Sequence, residues 1–414
     1  VAPDHPDTKN VIHHFEDMME KGTLKFFGNV RVGNDGAVTL PQLRDMYHAV
    51  VLAYGAASGK RLSVPGSSLQ NVMSARDFVN WYNGHPSGSI FDEMLVKDVQ
   101  DVVICGLGNV ALDCARILLK DPEADLHPTD ISTRAVEALK KSNVRNVHIL
   151  ARRGPAQAAC TPKELRELLG LQDVGVLIHP PGCLELSETC TAEIKGSRIH
   201  KRVVEVLKKH SGGEGDHHCS KRVHLHFLAR PAEYVKGEDD RVGTTVVENM
   251  VLEKGETGQR AVGTGDMFSL NSQLVIESVG YQAEPIDGAP FDAKTGTIPN
   301  VLGRVIEDSN QNNLYVCGWL KRGPSGIIGT NLVDAEQTVD TMVRHQDDWG
   351  SATGDEKKGR DGLLSLLKKN HFISFEDWKK IDAEEVAQGT SIGKVREKFT
   401  DQDTMIQIAH ASFK

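Results

Sequence analysis

Short apolar runs alternate with amphipathic stretches along most of the chain. Val102-Val103-Ile104-Cys105 is an apolar run that ends in Gly106, and the helical pattern Asn109-Val110-Ala111-Leu112-Asp113 follows at once. This predicts a strand, a tight turn and a helix. Val147-His148-Ile149-Leu150 predicts the next strand, and residues 133–142 predict a helix before it. Further strands are expected at residues 223–228, 244–252 and 273–279, the last feeding Gly280. Upstream, Val11, Ile12, Phe15, Met18 and Met19 mark a helix over residues 9–20. Residues 24–27 and 29–32 suit strands, and Thr39 is placed to cap a helix over residues 40–47. A buried strand is expected at residues 48–53 and a short helix at 77–81. Downstream, residues 313–319 read as a strand entering a turn, and residues 326–331 open a helix that runs through Val343. Residues 346–362 read as an exposed loop and 363–370 as a helix. Strands that alternate with helices imply an α/β fold with parallel sheets.

The turn after Cys105 has the pattern G-x-G-x-x-A of a dinucleotide-binding fingerprint. Gly106 allows the sharp turn. Gly108 lacks a Cβ, so backbone can approach a pyrophosphate, and Ala111 lets the helix pack closely on the strand. Leu107, Gly108, Asn109 and Val110 then surround the helix N-terminus, where free N–H groups and the dipole favour phosphate. The end of the next strand selects the cofactor. An NAD site places a carboxylate there for the ribose 2′-OH, whereas this chain places Arg152 and Arg153. Guanidinium groups match a phosphate in charge and geometry, so NADP is expected.

Composition narrows the setting. The chain has 414 residues, a length suited to two or three domains, and a formal net charge of −9 that argues against nucleic-acid binding. Its seven cysteines are scattered without a C-x-x-C pair, which suggests a reducing compartment and no disulfide framework. His217-His218-Cys219 has no second ligand pair at metal-site spacing, and no metal site is expected. No apolar run is long enough to cross a membrane. One basic run stands out in this acidic chain. It spans residues 195–202 and continues to Lys209, with Arg198, Lys201 and Arg202 on one side of a helix. Such a run is a solvated face or a docking patch for an acidic protein.

Six strings occur in order: Val1-Ala2-Pro3-Asp4-His5-Pro6, Phe27-Gly28-Asn29-Val30, Trp81-Tyr82-Asn83-Gly84, Gly108-Asn109-Val110-Ala111-Leu112-Asp113, Arg152-Arg153-Gly154-Pro155 and Gly318-Trp319-Leu320-Lys321-Arg322-Gly323-Pro324. Together they resemble the NADPH:adrenodoxin oxidoreductase family, the mitochondrial ferredoxin–NADP reductases and their bacterial relatives. The resemblance implies two dinucleotide-binding, Rossmann-like domains, with the NADP domain inserted in a split FAD domain. The expected division is residues 1–58 and 284–414 for FAD and 59–283 for NADP. In the family the opening V-A-P-D-H-P string follows a strand and a glycine turn for FAD. Here it opens the sequence, so the FAD domain is expected to be incomplete at its N-terminal side.

The resemblance also implies roles. Val32, Trp319, Gly326, Ile327 and Ile328 correspond to FAD contacts, and Gly326 also approaches NADPH. Glu164 lies at the NADPH site and His5 near the flavin, as a candidate proton relay. The basic helix docks the ferredoxin- or adrenodoxin-type 2Fe–2S protein. The implied activity is transfer of electrons from NADPH through FAD to that protein, serving mitochondrial P450 and iron–sulfur pathways. The implied location is the mitochondrial matrix, peripheral at the inner membrane. A non-catalytic NADP-binding fragment and a related flavoprotein with another acceptor are the alternatives.

Overall fold

The computed structural model describes residues 2–88, 99–211, 218–255, 258–307, 313–326, 328–350, 357–367 and 372–411. They form two compact units. The first comprises Val1–Asn10, Gly59–Val279 and Glu384–Gln402; the second comprises Val11–Ser58, Gly280–Ala383 and Asp403–Lys414.

The first unit is built on a six-stranded parallel sheet. Its order is Val72–Ser74, Leu274–Glu277, Asp101–Cys105, Asn146–Ala151, Lys221–Phe227 and Val174–His179. Strand Asp101–Cys105 therefore lies where the winding reverses, between the next strand in sequence and the last. Side chains alternate between the two faces of each strand. Val102, Ile104, Val147, Ile149, Val223 and Leu225 pack under helices Asn109–Leu119, Thr133–Lys140, Pro162–Leu169 and Arg198–His210. Val103, Cys105, Leu150 and Val275 face the other way. That face is covered by an antiparallel sheet of Ala229–Lys236, Val242–Gly255 and Gly258–Asn271, which contributes Tyr234 and Val247. Burial on both sides explains why the central strands read as continuous apolar runs.

Two segments from outside residues 59–283 also belong to this unit, and ion pairs explain why. Asp4 pairs with Arg116 and Lys120, and Lys9 pairs with Asp130. Lys394 donates to the Ile131 carbonyl and to Thr133 Oγ1, which brings in Glu384–Gln402. The unit boundaries in the middle of the chain fall at Ser58/Gly59 and Val279/Gly280, against the expected 58/59 and 283/284.

The second unit holds a smaller sheet. Val50–Leu52 pairs in parallel with Leu314–Val316, and Arg304–Val305 and Asn300–Val301 extend it antiparallel. Leu40, Leu52, Ile298, Leu314, Val316 and Leu320 form its main core. Thr39 caps helix Leu40–Met46 through a complete capping box with Gln42. Arg44 on that helix is buried and bonds Asn313 Oδ1 at 3.0 Å and both Glu307 carboxylate oxygens at 2.6 and 2.8 Å. The strands expected at 24–27 and 29–32 do not form. Residues 24–27 form no bridge; Gly28, just after them, bridges Ile373, and Val32 bridges Val38, so no ladder develops. The long helix Ile328–Arg344 leaves Leu332, Val333, Val339 and Val343 exposed. Ile327 lies outside the described residues.

Candidate functional site

The fingerprint turn forms at the carboxyl end of strand Asp101–Cys105. Gly106 has φ +118°, and a Cβ there would lie 2.2 Å from the Ser278 carbonyl oxygen, so only glycine fits. Gly108 is the N-cap of helix Asn109–Leu119, and no side chain caps that end. A Cβ at Gly108 would meet nothing within 4 Å. Its glycine is therefore not required by the protein's own packing; the space beside it suits a ligand that touches backbone. Asn109 turns its Oδ1 to the Thr161 N–H at 2.8 Å and ties this turn to the start of helix Pro162–Leu169. Ala111 is fully buried, as the fingerprint requires.

Gly106 N–H donates to the Leu150 carbonyl at 2.8 Å, which fixes the turn beside the end of strand Asn146–Ala151. Arg152 and Arg153 leave that end exposed. Neither is paired with a carboxylate among the described residues. Two free guanidinium groups next to an uncapped helix N-terminus form a place for phosphate.

A buried ion cluster lies on the same helix. Arg116 is 1% exposed and forms a fork on Asp4, with Nε to Oδ2 at 2.7 Å and Nη2 to Oδ1 at 3.0 Å. Its Nη2 also reaches Asp113 Oδ1 at 2.9 Å and His5 Nε2 at 3.2 Å. His5 Nε2 stands 2.6 Å from Glu167 Oε2 and 3.6 Å from Glu164 Oε2. The structure thus brings His5 and Glu164 together, from opposite ends of a long sequence separation. Burial would raise the Asp4 carboxyl, but Arg116 and Lys120 outweigh it and hold the group well below the usual carboxylate range. Burial pushes Glu164 up; His5 pulls against it, while Asp113 and Glu167 add to the rise. Glu164 Oε2 is buried without a hydrogen-bond partner. Such an oxygen is costly unless it is protonated or meets a ligand group.

Asp4, Asp113, Arg116, Lys120 and Glu167 were not among the expected site residues. The available signal was Arg116 itself, a charge among the otherwise apolar residues 114–119 of the fingerprint helix. Its partner Asp4 is distant in sequence, so nothing local announces the pair.

In the second unit, Cys317 N–H donates to the Leu52 carbonyl at 3.1 Å, which aligns the ends of its two parallel strands. Gly55 and Gly318 follow these ends with φ +69° and +70°, and a Cβ on either would meet nothing within 4 Å. Trp319 follows Gly318, half-buried, with its ring centroid 5.4 Å from that of Tyr281. Gly326 has φ +86° and precedes helix Ile328–Arg344. These residues fit a flat ring and an adjoining phosphate. Val32 is half-buried beside Phe27 and Val38, at its bridge.

Arg198, Lys201 and Arg202 are all exposed on helix Arg198–His210, whose opposite side buries Val203, Val206 and Leu207. Three cations in the first turns oppose the helix dipole, whereas Lys208 and Lys209 at the far end complement it. Local helix stability therefore does not account for the first group.

A parallel sheet whose switch point carries a glycine turn, a bare helix end and two unpaired arginines defines a dinucleotide-binding protein of the doubly wound class. No protein-family model matches the chain. It is 42% identical over 425 residues to the mitochondrial NADPH:adrenodoxin oxidoreductase of Arabidopsis thaliana, covering 99% of this chain and 86% of that one. The human enzyme of the same name is 41% identical over 99% of this chain and 83% of its own length. A solved structure of Mycobacterium tuberculosis FprA in complex with NADPH superposes with a TM-score of 0.89 at 38% identity, covering 99% of this chain and 89% of that one. The chain belongs to the NADPH:adrenodoxin oxidoreductase family.

Proposed function

We propose that this chain takes electrons from NADPH and passes them to a ferredoxin- or adrenodoxin-type 2Fe–2S protein, with FAD as its resident cofactor. The observation that carries the reading is the pairing of the bare Gly108 helix end with Arg152 and Arg153 at one strand edge. Backbone from Leu107 to Val110 holds the pyrophosphate of NADPH, and the two arginines hold its 2′-phosphate. FAD, when bound, supplies the conversion of a two-electron donor into one-electron steps. Trp319, Gly326, Ile327, Ile328 and Val32 hold it. His5 Nε2, 2.6 Å from Glu167 Oε2 and 3.6 Å from Glu164 Oε2, is placed to relay a proton together with the raised Glu164 carboxyl. Gly326 also approaches NADPH in this reading. Arg198, Lys201 and Arg202 steer the acidic partner, and the attraction weakens as salt rises. The names of the relatives support a mitochondrial location; the matrix side, peripheral at the inner membrane, is part of the same proposal.

Binding titrations test the reading. Replacing Arg152 and Arg153 with Ala should weaken NADPH about 100-fold or more, from loss of two charge-assisted contacts, and change NADH by less than about threefold. Equal losses for both cofactors would exclude the clamp.

A further inference from the structure

The six-stranded sheet carries a second cluster of chemistry-bearing residues, on the face turned away from the helices. His148 stands opposite His224 in one strand pair, and His179 stands opposite His226 in the next. His224 and His226 are two apart on one strand, so all four share a face. The rings stack, with centroids 4.3 Å apart for His148 and His224 and 4.6 Å apart for His179 and His226. Phe268 closes one side, 6.0 Å from His226. His148 and His226 are buried, while His179 and His224 are half-buried and leave an entry.

A parallel strand between two layers ordinarily carries Val, Ile or Leu at such positions. Here the rings present nitrogens to one another. His148 Nδ1 lies 3.1 Å from His226 Nε2, and His179 Nε2 lies 3.3 Å from His224 Nδ1. One ligand nitrogen from each of His148, His224 and His226 falls within 4.8 Å of the others. His224 Nε2 is buried without any hydrogen-bond partner. Two nitrogens on one tetrahedral ion, each about 2.0–2.1 Å from the metal, are roughly 3.3 Å apart. The spacing within each pair is already of that size.

We propose that His148, His224 and His226 bind one divalent transition-metal ion, with His179 placed to serve as a fourth ligand. The donor set is all imidazole, with no thiolate or carboxylate in it, which suits zinc, copper, nickel or cobalt and not magnesium or calcium. Such an ion would tie strands Asn146–Ala151 and Lys221–Phe227 together and, through His179, hold the edge strand Val174–His179 to them.

The test uses the full chain without a histidine tag, stripped by chelator and titrated with cobalt(II) alone, then with zinc(II) as competitor. One equivalent should bind with a Kd of about 1 μM or tighter and give the visible absorption of a tetrahedral nitrogen site. The double variant His224→Ala/His226→Ala should bind at least about 100-fold more weakly while keeping its NADPH affinity, which reports an intact fold. Absence of the cobalt spectrum in the parent chain overturns the proposal. An unchanged spectrum in the folded double variant does so too, as does a thiolate charge-transfer band, which would place the ion on cysteines. If the double variant does not fold, His148→Asn decides. A tenfold or greater loss of cobalt affinity supports the site, and an unchanged affinity overturns it.

Discussion

In the unit that contains Gly59–Val279, strands Asp101–Cys105 and Asn146–Ala151 are covered on both faces, by helices on one side and an antiparallel sheet on the other. In the second unit, Val51 of strand Val50–Leu52 is 39% exposed, and helix Ile328–Arg344 presents Leu332 and Val333 at 64% and 67% exposure. Each unit is nevertheless pinned by one buried arginine. Arg116 joins Asp4 and Asp113, and Arg44 joins Glu307 and Asn313. The first unit adds this pin to an extensive core. The second relies on it more heavily, beside a smaller one. Burial of apolar surface contributes in proportion to the area removed from water, so the first unit should be the sturdier of the two.

The largest expected effect comes from the pins. Arg116→Leu should destabilise the first unit by about 3–5 kcal/mol, because half-buried Asp113 would lose its partner and Asp4 would keep only Lys120. Arg44→Leu should cost a similar amount, but in the second unit. Denaturant unfolding followed by NADPH binding and by Trp319 fluorescence separates the two; one common transition in both variants would break the comparison.

Next comes the glycine turn. Gly106→Ala should cost about 2–4 kcal/mol, from its positive φ and the clash with the Ser278 carbonyl. Gly108→Ala, with open space at its Cβ, should change stability by less than about 0.5 kcal/mol and still weaken NADPH. Thermal melts and binding titrations of the pair would show whether these glycines serve the fold and the ligand separately.

Acid should strike the first unit specifically. Burial lowers His148 to about 4, His224 to about 3 and His226 to about 3, from an ordinary value of 6.5. The unfolded chain then binds more protons than the folded one between these values. The contribution is fully present above pH 6.5 and is lost as pH falls toward 4 and 3. For His148 alone the loss is on the order of 2–3 kcal/mol. Asp4, also depressed, adds its own loss at lower pH, below its ordinary 3.8. Unfolding free energies measured from pH 7 to pH 4 should show the slope, and His148→Leu should flatten it.

The smallest effect is on the exposed helix of the second unit. Leu332→Gln with Val333→Gln should shift stability by less than about 0.5 kcal/mol and reduce aggregation, read by light scattering. A marked destabilisation would mean that these side chains are covered in solution.

Much of the first unit was legible in the sequence because its central strands are continuous apolar runs and its turn is chemically constrained. The capping box at Thr39 was equally plain, since Gln42 lies within the same few residues. The antiparallel sheet was less so. Residues 244–252 read as a strand, but Gly258–Asn271 carries few apolar residues, and a register shift between Gly263 and Met267 breaks its alternation. The strands expected at 24–27 and 29–32 failed for the opposite reason, because apolar residues were present without a partner edge. At the site, Arg152 and Arg153 were visible as neighbours in sequence. The Asp4–Arg116 fork was not, because only folding brings those residues together. The histidine cluster had a local sign in the spacing of His224 and His226, which places both on one face of a strand, but His148 and His179 join them only through sheet order.

The interleaving of the two units along the chain has a consequence for synthesis. Every strand of the six-stranded sheet lies within Gly59–Val279, so that sheet can close as soon as this stretch has left the ribosome. Strand Val50–Leu52 emerges earlier, yet its parallel partner Leu314–Val316 is made only after the whole of Gly59–Val279. The early strand must wait for that partner while the later-made unit completes itself. Non-local parallel pairing is slow and exposes edges to wrong partners. A nascent chain of this kind places its greatest need for chaperones around strand Val50–Leu52, well before its partner strand is made.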